Sequence, residues 1–193
     1  RDVKHLVYMF SGVGVGIIVN GEIYRGATGA AGELGISSLK VPRQEILGMA
    51  ATLGRWEMDL GMTRRARELM GNGGVSSMKD MVGGDPEKVT FKEIVKGVKE
   101  KDAVALKTVE EGGYALGKKI AFLVNLLNPE IVVIGGGIED CGAPLLDAIK
   151  TAVKEWAVEE AATRVKIIPS AFGENAVALG VVGIVAREVF AQA

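Results

Sequence analysis

The hydrophobic and polar positions at the start of the chain follow the pattern of short strands joined by tight turns. Residues 3–10 are apolar and β-branched, which is typical of a strand. Two further strand-prone segments lie on either side of Asn20-Gly21, a pair that favours a hairpin because both turn residues need positive φ. The pattern therefore predicts strand, turn, strand, turn and strand in succession.

A helical pattern follows in the next part of the chain. Apolar positions recur at helical spacing from Gln44 to about Met70, with breaks expected near Gly54 and Gly61. The glycine-rich segment 71–86 is expected to be a loop-rich insert.

The second half of the chain alternates helices with strands. Thr90 and Glu93 have the spacing of a capping box and predict the start of a helix. A long helix is expected from about Asp102 to Leu127, weakened in its middle by Gly112-Gly113. A buried strand ending in glycines, an amphipathic helix, a strand with a loop and a closing apolar helix are expected at 130–137, 144–161, 164–172 and 175–190. This order predicts an α/β fold whose parallel strands are joined through the 143–160 helix.

Composition narrows the class of protein. The 193 residues are 48% apolar and 24% charged, which fits one globular domain spanning 1–193. A net charge of -1 gives no general attraction for a polyanion, so nucleic-acid binding by these residues is not expected. Cys141 and His5 are the single cysteine and histidine, which excludes a disulfide framework and a zinc site made of such ligands. The lone thiol suits the cytoplasm, and no apolar run predicts a membrane span.

The glycine-rich stretch at residues 11–35 is the first candidate for a ligand site. A dinucleotide-binding loop requires a helix directly after its glycines, but GIIVNGEIY has a strand pattern here. The Rossmann interpretation therefore fails. From spacing alone, a glycine-rich hairpin with bulges is favoured over a phosphate site.

The same stretch resembles the signature of the ROK family, which contains bacterial repressors, open reading frames and sugar kinases. That signature has a Gly-x-Gly-x-Gly segment, an aliphatic residue, a further glycine, and a small-residue run closing in Ala-Gly-Glu-x-Gly-His. The matching residues are Gly12, Gly14, Gly16, Ile17, Gly26, Gly32, Glu33 and Gly35. The final histidine is replaced by Ile36. NPEIVVIGGGIE and FGENAVALGVVGIV are similar to the family's adenosine-side loop and terminal helix, so the resemblance covers nearly the whole chain.

The resemblance implies a fold and a domain organisation. It implies an actin-like, ribonuclease-H-like ATPase lobe with a mixed sheet and flanking helices. The chain opens at Arg1 without a starting Met, so we interpret it as the C-terminal lobe of a longer protein. The N-terminal lobe and any DNA-binding domain would lie outside it, and the family suggests a homodimer.

The resemblance also assigns candidate site residues. Two glycine clusters would present backbone amides to a nucleotide, although tight turns explain them equally well; they are Gly12, Gly14, Gly16, Gly135, Gly136 and Gly137. Glu33 and Glu57 match family glutamates that bind sugar hydroxyls, and Gly32 is sugar-side backbone. The alternative for each glutamate is a solvated surface side chain.

The segment GMAATLGRWE, residues 48–57, aligns with the Cys-x-Cys-Gly-x-x-Gly-Cys-x-Glu motif of zinc-containing family members. Its three cysteine positions hold Gly48, Ala50 and Arg55, and the fourth ligand position holds Ile36. A tetrahedral site functions only as a set, so we predict that zinc binding has been lost and that no metal site remains.

Two functions remain open, with a third ranked below them. The first is a sugar-sensing effector lobe of a ROK transcriptional regulator, which would bind a sugar or sugar phosphate and reach DNA only through a domain outside this chain. The second is part of a sugar kinase that uses ATP and Mg²⁺. The family's kinases take the catalytic aspartate and another phosphate loop from segments outside residues 1–193, so this chain alone is not expected to be active. The third is a scaffold that only dimerises.

Overall fold

The computed structural model describes residues 3–11, 14–34 and 61–190. Its centre is a five-stranded mixed sheet with the strand order β3-β2-β1-β4-β5. The strands are β1 (Leu6–Phe10), β2 (Gly14–Val19), β3 (Glu22–Ile23), β4 (Ile131–Gly135) and β5 (Lys166–Pro169). The predicted α/β fold class with flanking helices is confirmed.

The opening hairpin forms as the sequence predicts. Asn20 and Gly21 have φ values of 55° and 81°, so both turn residues adopt the left-handed conformation that joins β2 to β3. β1 pairs with β2 antiparallel, with Tyr8 opposite Gly16 and Phe10 opposite Gly14. Three strands in succession are therefore confirmed.

The helices of the described residues flank this sheet. They are α1 (Met62–Gly71), α2 (Ser77–Met81), α3 (Phe91–Lys99), α4 (Ala103–Leu127), α5 (Ala143–Trp156), α6 (Glu159–Arg164) and α7 (Ala176–Phe190), with short 3₁₀ turns at Pro86–Lys88, Ile138–Cys141 and Gly173–Asn175. The capping box before α3 is confirmed, because Glu93 accepts hydrogen bonds from the backbone and hydroxyl of Thr90. Of the helix predicted over Gln44–Met70, residues before Gly61 lie outside the described part of the chain. The expected break at Gly61 is confirmed by its φ of 76°.

One loop prediction needs correction. The segment 71–86 is not only loop, because Ser76 accepts a hydrogen bond from the Met78 amide and starts α2. The long helix expected from about Asp102 to Leu127 is confirmed, and α4 runs without interruption through Gly112-Gly113. Glycine is tolerated there because α5 packs closely, and a Cβ at Gly113 would lie 2.8 Å from the carbonyl oxygen of Leu145.

The connection between the parallel strands β4 and β5 runs through α5 and α6. The single helix predicted over 144–161 is wrong in one respect, because it is broken after Trp156. Asn125 of α4 binds both ends of the break, donating to the Trp156 carbonyl at 3.3 Å and accepting from the Val158 amide at 2.8 Å. A side chain from another helix thus replaces the helical hydrogen bonds lost at this point.

The hydrophobic core lies between one face of the sheet and the α4–α5 pair. Val7 and Met9 of β1 point to this face, and each is at most 1% exposed. Cys141 is also buried in this core, whereas 57% of the surface of Trp156 is exposed. β1 pairs with β4 in parallel, so the carboxyl ends of both strands lie at the same edge of the sheet.

The basic segment Arg64–Arg67 is not only the solvated helix face that its charge pattern favours. Arg65 forms a two-point ion pair with Glu111 of α4, at 2.6 and 3.1 Å. Arg67 donates two hydrogen bonds to the carbonyl oxygen of Val89. These residues therefore connect α1 to its neighbours.

The predicted closing apolar helix forms as α7. Much of its apolar surface remains exposed, including 56% of Val181 and 53% of Val185. Arg187 reaches Glu22 beside β3 with a 2.9 Å ion pair. None of the described helices combines the length and apolar character needed to cross a bilayer.

Candidate functional site

The carboxyl ends of β1, β4 and β5 meet at one edge of the sheet, where open α/β sheets usually bind ligands. Ser11 follows β1 and donates its amide to the Gly135 carbonyl at 2.7 Å and its hydroxyl to the Gly136 carbonyl at 2.6 Å. The amide of Ser170, after β5, donates to the Ile134 carbonyl at 2.7 Å. We call this edge, formed by Ser11, Gly14, 135–137 and Ser170, the glycine edge.

The structure brings two of the predicted glycine clusters together here. Phe10 pairs with Gly14 on one side and with Gly135 on the other, so both clusters flank the end of β1. Gly16 lies two residues further along β2 and backs onto Tyr8, where a Cβ would have an ordinary 3.5 Å contact. Gly12 lies outside the described residues.

The three positions after β4 favour glycine for different physical reasons. A Cβ at Gly135 would overlap the Tyr8 hydroxyl, and one at Gly136 would overlap the Ser11 hydroxyl. A Cβ at Gly137 would meet no atom within 4 Å, but its φ of 95° still favours glycine. Close packing therefore requires Gly135 and Gly136, whereas Gly137 borders open space. Sequence reasoning missed Ser11 and Tyr8, since their role depends on the neighbouring strand.

Glu139 is a further residue of the glycine edge that sequence reasoning missed. Its carboxylate accepts the Gly137 amide at 2.7 Å through Oε2. The other oxygen, Oε1, is buried and has no hydrogen-bond partner among the described residues, and the same is true of the Tyr8 hydroxyl. The Gly137 amide, which an incoming anion would need as a hydrogen-bond donor, is thus already bound by the negatively charged carboxylate of Glu139. Its position two residues after the glycines is a signal that could have found it.

The sugar-side residues lie on the loop after β3. The carbonyl of Gly32 accepts the Val15 amide at 3.0 Å, which joins the loop to β2. Gly32 has a φ of 89°, and a Cβ there would overlap the Val15 carbonyl oxygen. Glu33 follows directly and is exposed to solvent. Glu57 lies outside the described residues, so its position relative to Glu33 stays a prediction.

The zinc-motif alignment also falls largely outside the described residues, since it depends on Ile36 and 48–57. In the ranges 3–11, 14–34 and 61–190, no three side chains of His, Cys, Asp or Glu cluster as a metal site would require.

Comparison with known proteins identifies the family. A sequence model of the ROK family matches residues 2–188. The chain belongs to the ROK family. Its relatives include both a sugar kinase and a transcriptional regulator. It is 34% identical over 185 residues to a glucokinase from Halalkalibacterium halodurans, covering 92% of this chain and 53% of the relative. It is 29% identical over 183 residues to the DNA-binding transcriptional dual regulator NagC from Escherichia coli, covering 94% of this chain and 43% of the relative.

The fold agrees with this assignment. A ROK family glucokinase from Streptomyces griseus, solved in complex with glucose and AMPPNP, superposes with a TM-score of 0.68 at 22% identity. The match covers 91% of this chain and 58% of that one. The predicted actin-like ATPase fold is therefore confirmed. The chain spans about half the length of the curated relatives it matches, at 53% and 43%.

Proposed function

We propose that this ROK chain is the sugar-sensing effector lobe of a transcriptional regulator. The observation that carries the proposal is the hydrogen bond from the Gly137 amide to the Glu139 carboxylate. Among the three glycines after β4, Gly137 alone has open space at its Cβ position, and we take its amide as the donor that a nucleotide phosphate would approach. A carboxylate on that amide opposes a second anion through like-charge repulsion and occupies the donor.

The sequence supports the same proposal at the sugar side. Ile36 stands where the family signature has a histidine, and Gly48, Ala50 and Arg55 stand at the aligned cysteine positions. An aliphatic side chain cannot hydrogen-bond to a sugar hydroxyl, and an unpaired buried hydroxyl costs roughly 1–3 kcal/mol. The pocket would therefore bind a ligand different from that of a histidine-containing site.

The proposed sugar contacts are Glu33, Glu57 and the backbone of Gly32. Gly32 supports this role because its own carbonyl is fixed on β2, which holds the following Glu33 at a defined point of the loop. The exposure of Glu33 leaves its carboxylate available to accept hydrogen bonds from a ligand. A sugar held between this lobe and a second one would change their relative arrangement.

The remaining parts of the proposal concern the whole protein. A regulator of this kind would act in the cytoplasm as a homodimer and would contact DNA through a domain outside this chain. The net charge of -1 supports that division, because these residues have no general attraction for DNA phosphates.

The second candidate is a ROK sugar kinase that uses ATP and Mg²⁺. It is favoured by the 34% identity to a glucokinase, which exceeds the 29% identity to NagC. The glycine edge also lies where such a nucleotide would be expected in an open α/β sheet.

Calorimetry on the full-length protein distinguishes the two candidates. We expect a sugar from a panel of hexoses, pentoses and N-acetylhexosamines to bind and to raise Tm, while ATP with Mg²⁺ produces no heat. Glu139→Gln removes the opposing charge and should increase any residual ATP affinity, whereas Asp140→Asn, at an exposed neighbouring carboxylate, should not. Millimolar or tighter ATP binding by the native protein, together with phosphorylation of a hexose, would establish the kinase instead.

A further inference from the structure

A groove of about 760 Å³ lies between α5, α6 and the edge strand β5. It is at the edge of the sheet opposite to the β2–β3 hairpin. Its floor is apolar. Val153 and Ile167 are 2% and 9% exposed, and Ala162, Val165 and Ile168 complete the apolar lining. None of the groove's lining residues belongs to the glycine edge. We call this cavity the lysine groove, and we propose that it binds an amphipathic organic anion, with the apolar body on the floor and the charged head at the rim.

The charge at the rim supports an anion. The lining contains three lysines, Lys150, Lys154 and Lys166, against one acidic residue, Glu159. Asp147, outside the lining, pairs with Lys150, so one positive charge stays unbalanced. The whole chain has a net charge of -1, so this local excess is opposite in sign to the average. Such a concentration of one sign attracts a ligand of the other.

Two of these lysines remain available for a ligand. Lys150 has an ion pair with Asp147 at 3.7 Å. Lys154 and Lys166 have no ion pair with any residue that the structure describes, and both are exposed. Lys150 and Lys154 are four residues apart on α5, so both project from the same helix face.

The backbone of β5 argues for a free small anion rather than an added strand. The amides of Lys166 and Ser170 both donate toward β4. Because the amides of a strand alternate in direction, the Ile167 amide and the backbone nitrogen of Pro169 point away from β4, and proline has no amide hydrogen to donate. An added strand would find a single outward amide on β5, which is the usual way that natural sheets protect an edge. The volume of the groove lies within the range of small-molecule sites.

Three ligands of equal chain length test the proposal on the full chain, the two charged ones below their micellar concentrations and the neutral one below its solubility limit. The ligands are decanoate, decanol and decyltrimethylammonium, which share an apolar body and differ in the charge of the head. We expect decanoate to bind about fivefold or more tightly than decanol, and the cation more weakly than either. Methyl NMR signals of Ile167 and Val165 should shift on binding, while those of Val181 and Val185 on the exposed α7 should not.

Paired lysine substitutions locate the charged head. Lys154→Gln with Lys166→Gln should weaken decanoate binding about fivefold and leave decanol unchanged. The matched control is Lys92→Gln with Lys99→Gln, two exposed lysines of α3 outside the groove, which should leave both affinities unchanged. Circular dichroism and Tm would verify that each variant is folded.

The proposal is overturned if decanoate and decanol bind equally, if the α3 pair lowers affinity as much as the groove pair, or if the shifted methyl groups belong to α7. Absence of any decanoate binding to the folded chain up to its micellar concentration would also overturn it. An Ala162→Leu variant that is folded and loses affinity for decanoate would support the assignment of the floor.

Discussion

At the scale of single residues, contact with a neighbouring strand decides whether a position can hold a side chain larger than that of glycine. Gly29 and Gly32 are both on the loop after β3 and have similar φ values of 83° and 89°. They differ in their surroundings, because a Cβ at Gly29 meets no atom within 4 Å whereas one at Gly32 overlaps the Val15 carbonyl. Their backbone conformations alone would predict equal effects of substitution. Comparing the two positions therefore separates the cost of positive φ from the cost of steric overlap.

Gly32→Ala should therefore cost about 3 kcal/mol or more in the free energy of unfolding, since it adds a backbone overlap to the strain of positive φ. Gly29→Ala is the matched control and should cost only about 1–2 kcal/mol, from φ alone. Urea denaturation of the two variants measures both values. Equal losses would contradict the packing that the structure places around Gly32.

At the scale of elements, α4 and α5 pack closely against each other and cover one face of the sheet. Gly113 and Gly117 lie on the face of α4 that meets α5. A Cβ at Gly117 would lie 2.6 Å from both the Ala152 Cβ and the Ile149 carbonyl oxygen. Gly112 lies on another face, where a Cβ would lie 2.7 Å from the end of the flexible Met62 side chain.

Substitution of these glycines by alanine should give opposite results. Gly117→Ala should destabilise the protein by about 1–2 kcal/mol, because overpacking against backbone outweighs the gain in helix propensity. Gly112→Ala should be neutral or up to about 1 kcal/mol stabilising, because the Met62 terminus can move and alanine favours the helix. Thermal or urea unfolding would measure both, and a stabilising Gly117→Ala would show that the two helices are further apart.

At the scale of the whole molecule, the chain belongs to the ROK family and spans 53% of the length of its glucokinase relative. The described sheet and helices pack around one hydrophobic core, and no cluster of three potential metal-ligating side chains occurs among the described residues. In the alignment given above, the four zinc-ligand positions of the family hold Ile36, Gly48, Ala50 and Arg55. Stability of the whole protein should therefore be independent of zinc.

Metal analysis of the purified protein should give far less than one zinc per chain, and incubation with a chelator should leave Tm unchanged. A ROK protein that retains the cysteine motif is the control and should lose stability under the same treatment. One equivalent of tightly bound zinc per chain would contradict the alignment of residues 48–57.

The sequence by itself determined the features that depend on local chemistry and periodicity. Asn20-Gly21 fixed the hairpin through positive φ, Thr90 and Glu93 fixed the start of α3, and alternating elements fixed the parallel half of the sheet. Each of these requires only residues close together along the chain, and their preferences agree with the final fold. The family signature likewise consists of short segments that can be recognised without coordinates.

Only the tertiary structure decided the features that depend on distant residues. Asn125 binds both ends of the break in the helix that the pattern at 144–161 predicts, and the close contact between α4 and α5 leaves no room for a Cβ at Gly113. The glycine edge likewise depends on Ser11, because that residue comes beside Gly136 across 125 positions of sequence. These outcomes follow from hydrogen bonds and steric contacts between separate elements, and no local pattern contains that information.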